Sequence, residues 1–192
     1  MSFDHWNTLD TSFMRQKQRR NSSMNKRPTG DHLNLRAQKK IQDILRDNRE
    51  ASTSVLFSDL CIKVNRKNAS QNRLVLLSPQ NLYNLHPVSF KVLRKISLES
   101  ISLVSLSTLT DNFFVIHCNS EYDYLLSCGK KTELIALLRR SYKLLTGVEL
   151  EVRFADSFEM KLKTGQVKTV LFEPYETAEG PGVLTQIFSA DR

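Results

Sequence analysis

The sequence predicts a mainly β protein: seven short antiparallel strands forming an orthogonal sandwich or barrel, closed by one amphipathic helix. A further helix precedes this core and a few extra strands follow it. Three observations carry the prediction. Between residues 55 and 126, apolar residues alternate with a period of two, in runs spaced by about ten residues with turn chemistry between them. Over residues 131–145 the period becomes that of a helix with one apolar stripe. Two orthogonal sheets leave one end of a sandwich open, and such a helix can plug it.

The elements follow in order. Residues 1–30 are polar, and residues 14–27 hold six basic side chains and no acid, so this segment reads as a flexible basic arm. Residues 31–50 read as a helix. Asp31 can cap it, Leu33, Leu35, Ile41, Ile44 and Leu45 fall near one face, and Asp47-Asn48 can end it. Strands are expected at 55–64, 73–77, 82–85, 90–98, 101–106, 112–118 and 122–126, broken by the polar loop 65–72, by Ser78-Pro79 and by His86-Pro87. In the closing helix, Leu134, Leu137, Leu138, Tyr142 and Leu145 share a side, and Gly147 supplies the stop. Three more short strands are expected at 149–154, 157–163 and 167–172, and residues 173–192 read as loop. The division is then an arm (1–30), one domain (31–175, with a core of about 54–146 and C-terminal strands 148–173) and a flexible tail (176–192). Seven strands followed by one plugging helix is the order of a pleckstrin-homology fold.

Composition narrows the function. The 192 residues suit one domain with extensions, at ~150 residues per domain. Hydrophobic content of 40% is enough for a core. The net charge of +8 is uneven: residues 1–50 hold 11 basic and 6 acidic side chains, whereas residues 148–192 hold 5 and 8. Such polarity suits a surface that docks with one side. Cys61, Cys118 and Cys128 sit in strand-like surroundings and read as reduced, buried thiols of a cytosolic protein. The N-terminus lacks the apolar stretch of a secretory signal, and no apolar run approaches the ~18 residues that span a bilayer. Neither terminus matches a lipidation motif. Any meeting with a membrane is therefore expected at its surface, in the cytoplasm or at the cell cortex.

The most informative stretch lies between Asp59 and Glu99. It holds Lys63, Arg66, Lys67, Arg73, Lys91, Arg94 and Lys95 and no carboxylate. A basic surface on a folded hairpin attracts phosphate, on lipid or on nucleic acid. In the first hairpin, Lys63 shares a face with Cys61, opposite Leu60, Ile62 and Val64, which are expected to face the core. Arg73 shares a face with Val75, so Lys63 and Arg73 should sit roughly across from each other on one side. Arg66 and Lys67 belong to the loop above them. Lys acts as a point charge and Arg as a fork for two phosphate oxygens. Lys91, Arg94 and Lys95 are expected to add non-specific attraction.

These residues bear a family resemblance. Val55-Leu56-Phe57-Ser58-Asp59 followed by Ile62-Lys63-Val64-Asn65-Arg66-Lys67 resembles the tail homology 1 domain of class I myosins. So do Arg73-Leu74-Val75-Leu76-Leu77-Ser78, Leu82-Tyr83-Asn84-Leu85, Phe90-Lys91-Val92, Ile96-Ser97-Leu98-Glu99-Ser100-Ile101, Val104-Ser105-Leu106-Ser107 and Asp111-Asn112-Phe113-Phe114-Val115-Ile116-His117. Lys131-Thr132-Glu133-Leu134 matches the start of its helix, and Lys26-Arg27-Pro28-Thr29-Gly30-Asp31-His32 the basic segment leading into it. The likeness covers residues 26–175. It implies a pleckstrin-homology core that binds anionic phospholipids, phosphoinositides among them, with the two signature cations at Lys63 and Arg73. In the family this domain anchors an actin motor to membranes. The motor's phosphate loop GxxxxGK[ST] is absent here. Ile41-Gln42 with Arg46 resembles half of a calmodulin-binding IQ motif, but Asp47 stands where Gly should follow, so no light chain is expected.

The leading expectation is thus a non-enzymatic, lipid-binding membrane module without a cofactor. An actin- or protein-binding adaptor acting through residues 14–27 is the alternative. Nucleic-acid binding is weaker, because it calls for aromatics among the cations, and only Tyr83 and Phe90 lie there, in strand context. Catalysis fares worst. His5, His32, His86 and His117 have no metal-ligand spacing with the cysteines. Glu121 and Asp123 lie in a turn-to-strand segment, where acids are usually solvated, and no nucleophile elbow, dinucleotide loop or paired-carboxylate motif is present.

Overall fold

The computed structural model describes residues 10, 12–16, 30–50, 52–177 and 180–189. Its main sheet contains β1 (Phe57–Val64), β2 (Ser70–Leu77), β3 (Asn81–Leu85), β4 (Val92–Ser97), β5 (Ile101–Leu106), β6 (Phe113–Cys118), β7 (Tyr124–Ser127) and β8 (Glu151–Phe154). The spatial order is β4-β3-β2-β1-β7-β6-β5-β8. Every neighbouring pair is antiparallel except β5 and β8. The seam between β1 and β7 is only two register pairs long, Ile62 with Ser127 and Lys63 with Leu126. Around that seam the strands fold over one core of Phe57, Cys61, Val75, Leu82, Ile96, Val104, Phe114, Ile116 and Leu126. Helix α2 (Lys131–Thr146) inserts Leu134, Ile135, Leu137 and Leu138 into it. The helix stops at Gly147, whose φ of 80° lets its N–H reach the Lys143 carbonyl at 2.9 Å. This is the expected pleckstrin-homology-like arrangement, mainly β with a capping helix.

Two further layers cover the outside of the barrel. Helix α1 (Lys39–Asp47) seats Ile41 and Leu45 on Leu74, Leu76, Tyr83 and Leu85, the outward residues of β2 and β3. Leu74–Leu77 is therefore buried on both faces. Asp31 does cap, but it caps a short 3-10 turn ahead of α1, accepting from the N–H groups of Leu35 at 2.8 Å and Arg36 at 2.9 Å. Gly30 is required there: its φ is 69°, and a Cβ would stand 2.2 Å from the Leu56 carbonyl oxygen. Glu50 locks the end of this layer to the sheet. One of its oxygens accepts from Ser78 Oγ at 2.7 Å, Asn81 Nδ2 at 2.7 Å and Tyr83 OH at 2.6 Å.

The second layer is C-terminal. β8 extends the main sheet, and β9 (Ser157–Lys161), β10 (Val167–Thr177) and β11 (Gly180–Ser189) form a separate antiparallel sheet. That sheet docks Met160, Leu162, Val170 and Phe172 on Val64, Leu109, Val115 and Leu125. Residues 173–177 and 180–189, expected as loop and tail, instead complete a hairpin of ten register pairs through Thr177 and Gly180. The alternation Val183, Ile187 against Leu184, Gln186 is strand-like, but Gly180-Pro181-Gly182 masks it.

The first β1 expectation is overturned. Leu60 and Ile62 face outward, 56% and 39% exposed, while Cys61 is 3% exposed in the core and Lys63 points inward beside it. Val64 is buried, but under the C-terminal sheet. Alternation separates two faces without saying which lies inside, and here the inner face carries polar residues at both rims: Asp59 bonded to Lys130 at 3.1 Å and Lys63 at the other end. The arm is also not entirely free-standing. Ser12–Gln16 forms a 3-10 turn that buries Met14 in the core, 3% exposed, and sets the Phe13 ring 4.8 Å from the Arg139 guanidinium. Lys17, Arg19, Arg20, Lys26 and Arg27, with residues 190–192 of the expected tail, lie outside the described residues.

Candidate functional site

At the end of the barrel away from α2, the β1–β2 turn is tight. The Asn65 side-chain oxygen accepts from Lys67 N at 2.8 Å and Ala69 N at 3.1 Å, and Asn68 adopts φ of 60°. An Asx turn of this kind needs only five residues, so β2 begins at Ser70 rather than at Arg73. The register pairs Lys63 with Gln71 and Cys61 with Arg73. Lys63 and Arg73 therefore share the inner face but sit two register pairs apart, on a diagonal. Arg73 bonds Gln71 Oε1 and the Asn72 carbonyl, each at 2.6 Å, and its Nε is buried without a partner.

A cleft of about 720 Å³ opens beside this turn. One wall is Lys63, Arg66, Lys67 and Gln71; a second is Tyr122, Asp123 and Tyr124; the third is Met160, Leu162, Lys163 and Thr164 of the C-terminal sheet. Four cations line it against one carboxylate. Lys63 lies 5.5 Å from the Tyr124 ring centre, a cation–π contact. Burial, and then the charges of Arg73 and Arg94, lower its pKa below the usual lysine value. Among the described residues, no carboxylate lies within ion-pair distance of Lys63, Arg66, Lys67, Arg73 or Lys163. An anion entering the cleft would relieve this like-charge crowding.

Asp123 does not cancel that charge freely. Its carboxylate is only 9% exposed, bonded to His117 Nδ1 at 3.0 Å, Lys161 N at 2.8 Å and Cys118 N at 3.2 Å. Burial pushes its pKa up, and these hydrogen bonds more than reverse that, leaving it below the ordinary carboxylate value. The expected solvated pair of acids is thus only half present: Glu121 is 48% exposed, and Asp123 is a structural fastener. His117 also bonds Ser105 Oγ through Nε2 at 2.9 Å, a Ser–His–Asp line. Ser105 is 2% exposed and away from the cleft, so its hydroxyl meets no substrate.

The supporting cations divide. Arg94 was expected on the surface; it is 8% exposed inside the barrel end, stacked 3.7 Å over the Tyr122 ring and bonded to Glu121 at 3.0 Å and to the Tyr122 carbonyl at 2.6 Å. Arg94 lies on the inner face with Ile96, two residues on, and the β-bulge at Leu93 turns only Val92 to the outer layer. Lys95 lies on the outer side, bonded to the Asn48 carbonyl at 3.3 Å, and Lys91 is exposed; neither lines the cleft. Lys163 and Thr164 were missed, because a lysine in a short turn carries no signal until the sheet bearing it docks.

The architecture and the cleft define a pleckstrin-homology-like binding module. The chain belongs to the unconventional myosin tail family, described as actin- and lipid-binding, whose model matches residues 19–185. Among similar proteins, myosin heavy chain IB of Acanthamoeba castellanii is 30% identical over 84% of this chain, and myosin IB heavy chain of Dictyostelium discoideum is 32% identical over 85%. The chain spans about 15% of the length of these relatives. Among solved structures, the N-terminal PH domain of human ARAP2 aligns with a TM-score of 0.38 at 20% identity, covering 46% of this chain and 80% of that one. No helix among the described residues is long and apolar enough to cross a membrane.

Proposed function

We propose that the cleft receives the phosphates of anionic phospholipid headgroups, phosphoinositides among them, and that the chain serves as the membrane-anchoring tail module of a class I myosin at the cytoplasmic cell cortex. The observation that carries this reading is the cleft's charge: four cations on its walls, and one carboxylate already tied by three donors. Lys63 supplies the inner-face charge, Arg73 adds to it from outside the cleft's lining, and Arg66 and Lys67 reach the bilayer from the exposed turn. Near an anionic leaflet each cation is worth about 1 kcal/mol, so four supply ~4 kcal/mol, millimolar binding by themselves. Useful residence therefore calls for further cations, those of residues 14–27 among them, and for strong salt dependence.

Sedimentation with anionic vesicles, with and without phosphoinositide and at two salt concentrations, tests the reading. Lys63→Ala with Arg73→Ala should abolish the headgroup-dependent part of binding. Unchanged pelleting by the double variant would refute the cleft. Filament co-sedimentation measures the actin-binding side of the family description separately.

A further inference from the structure

We propose that the C-terminal sheet is a working wall of this cleft: Lys163 contacts the phosphates directly, and Asn68 with Lys168 holds the cationic β1–β2 turn at the spacing the headgroup needs. The proposal rests on the lipid-headgroup reading above and extends the site beyond the barrel. The ligand class is an inositol carrying two or more phosphates, since cations stand on two walls that belong to different sheets.

Three sets of bonds tie the walls together. Lys168 Nζ on β10 donates to the Arg66 carbonyl at 2.9 Å and to Asn68 Oδ1 at 2.7 Å. Asn68 Nδ2 donates to the Ile187 carbonyl on β11 at 2.9 Å. On the other flank, β9 bonds to the β6–β7 connection: Asp123 N donates to the Lys161 carbonyl at 2.8 Å, and Lys161 N donates to the Asp123 carboxylate at 2.8 Å. The β1–β2 turn, the Tyr122–Asp123 segment and the C-terminal sheet are therefore one cross-braced frame around the cleft.

Lys163 is held as firmly. It sits in the β9–β10 turn, which closes through Leu162 N to the Gln166 carbonyl at 2.8 Å and Gly165 N to the Leu162 carbonyl at 2.9 Å. Gly165 has φ of 83°, the left-handed conformation such a turn needs. Leu162 and Met160 beneath it are 8% and 3% exposed, packed in one cluster with Val64 and Leu125 of the barrel. Lys163 itself is exposed, lines the cleft and has no carboxylate partner among the described residues. Lys168, by contrast, spends its hydrogen bonds on the turn, so its role is positioning.

The test uses the full chain and two probes: soluble inositol 1,4,5-trisphosphate by calorimetry at 150 mM salt, and phosphoinositide vesicles. The soluble probe removes the bilayer's own attraction, so it reports the cleft's walls. Lys163→Gln should weaken trisphosphate binding about fivefold, the loss of one cation contact. Lys40→Gln, an equal charge change at an exposed position of α1 off the cleft, should stay within about twofold. Asn68→Gly keeps the left-handed backbone and the net charge and removes both side-chain ties. It should weaken binding several-fold and raise amide exchange at Lys67 and Ala69, with the thermal midpoint unchanged. If Lys163→Gln and Asn68→Gly bind the trisphosphate like the parent while Lys63→Ala with Arg73→Ala loses it, the third wall is refuted and the headgroup reading stands. If the parent binds neither probe, both fall together.

Discussion

The Arg94 guanidinium lies 3.7 Å above the ring of Tyr122, and the same arginine bonds to the Tyr122 carbonyl at 2.6 Å. Tyr122 lines the cleft; Arg94 is buried behind it with Nε and Nη1 lacking partners. An arginine in that position adds positive potential to the cleft, since its charge contributes to the lowered pKa of Lys63. Glu121, at 3.0 Å, neutralises part of it from the rim.

Glu121→Gln should therefore tighten anionic vesicle binding, by about two- to fivefold at low salt, and should cost about 1 kcal/mol of stability, because its carboxylate is half-exposed and solvent-screened. Sedimentation and urea unfolding on one preparation read both. Weaker binding would mean that the pair orients the Tyr122 segment rather than damping the field.

Acid stability should track two carboxylates. Burial raises the pKa of Asp31 and of Asp123, and hydrogen bonds lower both further, so each folded value lies below the ordinary 3.8. A depressed folded pKa gives stability that is fully present above the unfolded value, about 3.9, and is lost as pH falls through the folded value. The thermal midpoint of the parent should thus fall below about pH 4. Asp31→Asn and Asp123→Asn should each be less stable at pH 7 and flatter in acid. Parallel pH profiles for parent and variants would contradict this assignment.

Glu50→Ala removes the acceptor shared by Ser78, Asn81 and Tyr83. Buried donors left without an acceptor cost ~1–3 kcal/mol each, and Ser78 keeps the Asn81 carbonyl at 3.1 Å as an alternative. A loss of about 3 kcal/mol in urea unfolding is expected. A loss under about 0.5 kcal/mol would mean that water replaces the carboxylate.

Met14→Ala should cost ~2–5 kcal/mol, the range for truncating a buried Met, because its side chain sits in the main core at 3% exposure. Met14→Leu, of similar volume, should retain most of the stability. Equal thermal midpoints for the parent and the alanine variant would show that residues 12–16 do not hold their place on the core.

Much of the fold was legible from local pattern. Strand β5 and helix α2 were readable because period two and period 3.6 leave different marks, and Gly147 ends the helix for a backbone reason independent of context. β1 was misread because Leu60, Ile62 and Val64 alternate as cleanly as core residues do, yet the barrel turns that face outward and covers only Val64. Arg94 alternates in step with the core residue Ile96, but a basic side chain reads as solvated until Tyr122 and Glu121 are brought against it by the fold.

By itself the sequence determined the order of the elements, the basic hairpin and the family, because each is written in neighbouring residues. Tertiary structure alone decided which face of β1 is inside, that Arg94 is buried, that Lys163 lines the cleft and that Lys168 is bonded to the β1–β2 turn. The bond from Asn68 to Ile187 shows the reason: its partners stand 119 residues apart. No local periodicity records a contact of that span; it exists only once the apolar face of the C-terminal sheet has buried itself against β6 and β7.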